Sequence, residues 1–237
     1  MTETPAALRE AHHADVSGGW LRPAVFGAMD GLVTNIALIA GVSGGGVSPR
    51  SIVLTGTAGL VAGAISMGLG EYTSVRSANE QVAAEVAKER RELERHPEAE
   101  ARELAEAWVA RGLPQDLAMQ VAQAVRRNPE EALRVHVREE LGVDPDDQPS
   151  PWAAAISSFL CFSVGALVPL LTYLFGATSL WLALAVGGVG LFVAGAVVAR
   201  FTARSWLLSG LRQLLLGALA AAATYGIGTL IGVQGGL

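Results

Sequence analysis

Residues 52–95 read IVLTGTAGLVAGAISMGLGEYTSVRSANEQVAAEVAKERRELER. The first part, from Ile52 to about Val75, is apolar over more than the roughly 20 residues a helix needs to cross a bilayer. The last part, from Glu80 to Arg95, has neither Gly nor Pro and is dense in Glu and Arg. Nothing between the two parts breaks a helix. The stretch therefore predicts one helix that crosses a membrane and continues into water. Such a helix needs an integral membrane protein with a soluble, helical insert.

Outward from this stretch, four more segments are long and apolar enough to span: about residues 23–42, 152–175, 179–199 and 207–231. A glycine-rich turn, GVSGGGVSPR, joins the first to the second, and GATS joins the third to the fourth. The expected fold is all-α, an integral membrane bundle of five transmembrane helices with a cytosolic helical insert between the second and third. The expected division is a cytosolic tail over 1–20, helices one and two over 21–78, an acidic metal-binding insert over 79–149, and helices three to five over 150–237. Within the insert, Pro97 ends the long helix. Further helices are expected over 98–111, 114–127 and 129–141, the first ended by Gly112 and the last by Gly142. Then DPDDQPSP reads as a linker.

The charge distribution carries the same division. Of 22 acidic residues, 18 fall between Glu71 and Asp147, three in the first 15 residues, and one, Asp30, inside an apolar span. The 71–150 region holds 11 basic residues against those 18, so it favours cations as partners. No basic stripe with interleaved aromatics occurs, which argues against nucleic acid. A single cysteine, Cys161, excludes an intrachain disulfide or a Cys-based zinc site. The first 20 residues are polar and without an apolar core, so no cleavable signal is expected in them. No phosphate loop, GxSxG, HExxH or CxxC is present, so no enzyme and no prosthetic group is expected. Arg9, Arg22, Arg200, Arg204 and Arg212 cluster on one side, against Arg50 alone on the other. By the positive-inside rule the N-terminus and insert face the cytoplasm, and the C-terminus faces out.

Three sets of residues are candidates for chemistry. In the membrane, Asp30 lies roughly 10 Å inside the cytoplasmic edge, and Met67 on the returning helix falls at similar depth. A carboxylate inside a span is costly and marks a functional hypothesis. For Asp30 the alternative is a cap or a hydrogen bond to a neighbouring helix, and for Met67 it is packing. Thr34 shares the face of Asp30 and Asn35 follows about one and a half turns on, while Ser66 and Glu71 are secondary candidates, with interfacial snorkelling as the alternative for Glu71. In the insert, Glu85, Glu89 and Glu92 share one helix face, extended by His96. Glu100 and Glu103 are i, i+3, and His136 and Glu140 are i, i+4. Like charges at these spacings repel unless a cation lies between them. A salt-bridged surface with Arg90, Arg91, Arg95 and Arg102 is the alternative. His12 and His13 offer weak metal contact from the tail, and Cys161 reads as packing. Gly56, Gly59 and Gly63 form a small-residue face, for bundle packing or for a seam between copies or a pathway.

FGAMDGLVTNIALIAGVSGG, followed by IVLTGTAGLVAGAISMGLGEYTSVRSANE, resembles the vacuolar iron transporter family. So does the layout of two spans, an acidic insert and three spans, from Trp20 to the end. The resemblance implies a homodimer of five-span subunits in lipid that exports Fe²⁺, and often Mn²⁺, from the cytosol in exchange for protons. It assigns Asp30 and Met67 to the pathway, and Glu89, Glu92, Glu100, Glu103 and Glu140 to metal binding. It also marks departures. His136 and Val137 stand where some relatives carry two methionines, and Gly59 stands where some carry a glutamate. The alanine- and arginine-rich composition points to a bacterial plasma membrane. A metal sensor or buffer anchored by its spans is the alternative function, and a passive cation channel is a third.

Overall fold

The computed structural model describes residues 19–200 and 204–234, so His12 and His13 lie outside the described residues. Eight helices follow in order: α1 (Leu21–Gly44), α2 (Pro49–Arg95), α3 (Pro97–Ala110), α4 (Gln115–Val125), α5 (Pro129–Leu141), α6 (Pro151–Leu174), α7 (Leu180–Ala199) and α8 (Trp206–Gln234). Five of them, α1, α2, α6, α7 and α8, are long and apolar enough to cross a membrane. The expected all-α bundle of five spans with a helical insert is therefore the observed architecture.

The 47 residues of α2 run unbroken. At 1.5 Å per residue the helix is about 70 Å long. That is more than twice the hydrocarbon thickness, so its C-terminal half stands in water. His96 closes it, and Pro97 opens α3 as a first-turn proline. Local chemistry sets the other ends. Ser48, Asn128 and Ser150 each accept a hydrogen bond from the amide three residues on. Gly142, at φ +66°, takes the left-handed conformation that ends α5. The observed ends at Arg95, Pro129, Leu141 and Ala199 are the expected ones, and the others differ by one to three residues.

α1 is the centre of the bundle and packs on α2, α6, α7 and α8. Its contact with α6 is backbone on backbone. A Cβ at Gly31 would run into the Phe162 carbonyl oxygen, and one at Gly165 into that of Ala28. Lipid supplies no hydrophobic drive for helices to pair, so such close approach is what holds them together. The face formed by Gly56, Gly59 and Gly63 is used in the same way inside one copy. Gly56 receives Leu170, Gly59 receives Leu38, and Gly63 receives the Phe162 ring. Of the two readings of that face, this is the packing one.

The insert has its own small core of Ala101, Leu104, Ala105, Ala118 and Ala122, between α3 and α4. Arg90 of α2 pairs with Glu130 of α5 at 2.8 Å, an exposed ion pair between the long helix and the insert. Asn79 Nδ2 also donates to the Pro149 carbonyl at 3.0 Å, tying α2 to the start of α6.

Candidate metal centre and membrane cavity

Three helices of the insert each turn an acidic or imidazole side chain to one point. Glu89 comes from the protruding half of α2, Glu100 from the first turn of α3, and His136 and Glu140 from α5. One ligand atom from each lies within 4.8 Å of the others. His136 is at the centre. Its Nδ1 is 3.2 Å from Glu89 Oε1, 3.4 Å from Glu140 Oε1 and 3.8 Å from Glu100 Oε2. Glu89, Glu100 and His136 are 6%, 8% and 3% exposed.

Two buried carboxylates with a third, exposed one, Glu140, at one point are costly. The Glu89 carboxyl is pushed up to about 7, chiefly by burial, then by the charges of Glu140, Glu100, Glu92 and Glu103. Glu100 is raised as well, by burial and Glu103, with His136 opposing. The Glu89 Oε1 atom is buried and has no hydrogen-bond partner among the described residues, despite its nearness to His136. A buried acceptor without a donor costs free energy unless a cation or proton satisfies it. Carboxylate oxygens with one imidazole nitrogen form a donor set for a divalent first-row metal.

The remaining sequence candidates lie around this point, outside the four whose ligand atoms come within 4.8 Å of one another. Glu92 and Glu85 line a cavity of about 210 Å³ that opens onto it, shared with Glu89 and Glu140 of the cluster and with Lys88, Val137 and Leu141. Glu85 faces Lys88 at 3.9 Å and is exposed. Glu103 is exposed and acts on Glu100 and Glu89 only through its charge. Val137 is fully buried. His96 caps α2 and is exposed.

In the membrane half, Asp30 of α1 faces Met67 and Glu71 of α2 across a cavity of about 350 Å³. Phe26, Thr34, Gly63, Ser66, Gly70, Ser74 and Phe162 complete its lining. Thr34 Oγ1 donates to Asp30 Oδ1 at 3.3 Å. Ser66 and Gly70 are exposed, so the cavity opens sideways in a single copy. Phe26 and Ser74 were not singled out in the sequence. Phe26 precedes Asp30 by one helical turn, a spacing that places both on one face.

Asn35 does not line this cavity. Five residues on from Asp30, it is rotated about 140° around α1. It is 1% exposed. Its Nδ2 donates to the Ala166 carbonyl at 2.5 Å, and its Oδ1 looks toward Gly56 and Gly59 without a partner among the described residues. Cys161 is half-buried and carries a free thiol.

Comparison with known proteins supplies an independent line. The model of the VIT family matches residues 21–229. The chain is 36% identical over 234 residues to vacuolar iron transporter 1 of Oryza sativa subsp. japonica, covering 96% of this chain and 92% of the relative. It is 37% identical over 233 residues to the vacuolar iron transporter of Acanthamoeba castellanii, covering 95% and 84%. It is 31% identical over 220 residues to vacuolar iron transporter 1 of Arabidopsis thaliana, covering 90% and 88%.

Proposed function

The chain belongs to the VIT family, and from that premise we propose that it exports divalent metal, Fe²⁺ and also Mn²⁺, from the cytosol in exchange for protons. The observation that carries the reading is the meeting point of buried Glu89, Glu100 and His136 with exposed Glu140. It lies outside the membrane, on the continuation of the same helix that supplies Met67 and Glu71. The insert takes up the ion, and the cavity at Asp30 and Met67 passes it on. Carboxylates, an imidazole and a thioether together suit Fe²⁺ and Mn²⁺ better than Ca²⁺. Metal must displace the proton that Glu89 holds near neutral pH, which couples metal to proton.

Orientation follows from the arginines. Arg200, Arg204 and Arg212 lie on the side of the insert, which faces the cytoplasm. The membrane is a bacterial plasma membrane. The protein works as a homodimer, because the Asp30 cavity opens sideways and a carboxylate facing lipid is costly. A second copy covers it.

The alternative is a metal sensor or buffer anchored by its spans, and the position of the four-residue cluster wholly in the insert favours it as the second reading. Reconstituted vesicles carrying a pH dye and a metal dye separate the two. Metal influx matched by opposite proton movement supports the exchanger. Metal binding without flux sinks it in favour of the sensor, and flux without proton movement in favour of a channel.

A further inference from the structure

Asn35 is 1% exposed and lies about 21 Å along α1, just past the middle of a helix about 36 Å long. Its Nδ2 donates to the Ala166 carbonyl at 2.5 Å. That bond fixes the amide, because the reversed amide would set oxygen against oxygen. Oδ1 must therefore face α2, where it has no hydrogen-bond partner among the described residues. The buried hydroxyls of Ser43 and Ser158 share that condition, but a hydroxyl can turn to a carbonyl of its own helix and a held amide cannot. Joining α1 to α6 needs only the donor of Asn35. The orphaned acceptor, in the middle of the hydrocarbon, is costly and calls for another purpose.

Oδ1 faces the glycines of α2. A Cβ at Gly56 would lie 3.6 Å from it, and one at Gly59 3.8 Å. Gly63, one turn from Gly59 on the same face, lines the Asp30 cavity. The glycine face thus leads from Asp30 to Asn35. Leu38 stands on this route. Its Cδ1 is only 2.9 Å from where a Cβ at Gly59 would lie, so it fills the space in front of that glycine. Leu38 follows Thr34 of the Asp30 cavity by one turn, and it lines a second cavity of about 460 Å³, with Gly41, Val42 and Thr224, farther along α1. It is half-buried and borders that cavity, so it has room to turn. A single leucine therefore stands between two cavities and beside the orphaned oxygen.

We propose that Asn35 Oδ1 is a second ligand for the transported cation, about 7.5 Å beyond Asp30 along α1, and that Leu38 covers it until the ion arrives. The inference rests on the transport reading and adds the next position on its path. Leu38 turns off Gly59 into the second cavity, and the ion passes from the Asp30 carboxylate to the amide oxygen. An apolar side chain across a path is a barrier to a hydrated ion until it moves. An amide oxygen carries no charge and no titratable proton, so it holds the ion less tightly than a carboxylate and releases it onward. As a hard oxygen donor it suits Mn²⁺ better than Zn²⁺.

The test uses the full-length protein in vesicles loaded with a metal dye. Mn²⁺, Co²⁺ and Zn²⁺ are supplied separately, and thermal unfolding is measured on the same preparations. Asn35→Leu removes the oxygen at similar size. It should cut Mn²⁺ flux about ten- to a hundredfold, as expected for one lost contact to a charged group, and Co²⁺ and Zn²⁺ flux less. Gly59→Ala places a methyl group in front of Oδ1 and leaves the bond from Asn35 to Ala166 intact. It should give the same uneven loss at an unchanged unfolding temperature, and it decides the question if Asn35→Leu fails to insert. Mn²⁺ flux at the wild-type rate in either folded variant overturns the proposal. So does an equal loss for all three ions, which would leave Asn35 as a tie between α1 and α6 only. Wild-type protein without flux of any of the ions overturns the transport reading, and this inference with it.

Discussion

His136 Nδ1 on α5 lies 3.2 Å from Glu89 Oε1 on α2, yet that buried oxygen accepts no hydrogen bond among the described residues. An ion between the two satisfies both. His136→Ala should therefore lower metal affinity of the purified protein by at least about tenfold, since even outer-shell partners of a metal ligand are worth 10–100-fold. His136→Met replaces nitrogen with a soft sulfur at the same place. It should keep binding but shift preference away from Mn²⁺. Calorimetry with Fe²⁺ and Mn²⁺ on each variant checks both. Unchanged affinity in His136→Ala would remove the imidazole from the site.

The raised carboxyl of Glu89 gives a sign to the pH dependence. Its proton is held more tightly in the fold, up to about 7, than in the unfolded chain at 4.5. The metal-free protein is therefore relatively more stable at low pH and loses that advantage as pH rises from about 5 through 7. The loss is on the order of 3 kcal/mol, because Glu89 is buried and poorly screened. Thermal unfolding between pH 5 and pH 8 should show the insert softening as pH rises without metal. Glu89→Gln should flatten that profile. Metal affinity should run the other way and strengthen as pH rises, because protons then compete less.

The long helix, the three insert helices and the five spans were legible in the sequence for local reasons. No Gly or Pro occurs between Glu71 and Arg95, and Pro97, Pro129 and Gly142 act where they stand. The arrangement of the acidic residues was only half legible. Spacing put Glu85, Glu89 and Glu92 on one face, but their partner depends on how α3 and α5 cross α2. That crossing buries Glu89 and Glu100 and leaves Glu85 and Glu103 exposed. Asn35 shows the same limit in the membrane. Its polarity was visible, while its direction, away from Asp30 and toward the Ala166 carbonyl, is set by the α1–α6 contact at Gly31 and Gly165. No period within α1 specifies which helix meets it there.

Topology is open to direct test. A reporter inserted near Gln115 should read as cytoplasmic, and one fused after Leu237 as outside. The five spans put the two positions on opposite sides, and the arginine distribution decides which is which. Both reporters on one side would contradict five spans.

Asp30 is the sharpest test of the membrane pathway. It is the one acidic residue deep in the apolar segments, and it shares its cavity with Met67. Asp30→Asn keeps size and can still accept the hydrogen bond from Thr34, but removes the titratable charge. If Asp30 holds the ion, flux into reconstituted vesicles should fall by orders of magnitude while insertion and folding are unchanged. Met67→Leu conserves volume and removes only the thioether. It should lower flux less and change the order among Fe²⁺, Mn²⁺, Co²⁺ and Zn²⁺. Metal binding at Glu89 and His136 should survive both changes, because these residues lie in the insert and not in the cavity. Proton-coupled flux at wild-type rate in Asp30→Asn, at matched protein levels, would mean that the carboxylate only anchors Thr34 and that the ion passes elsewhere.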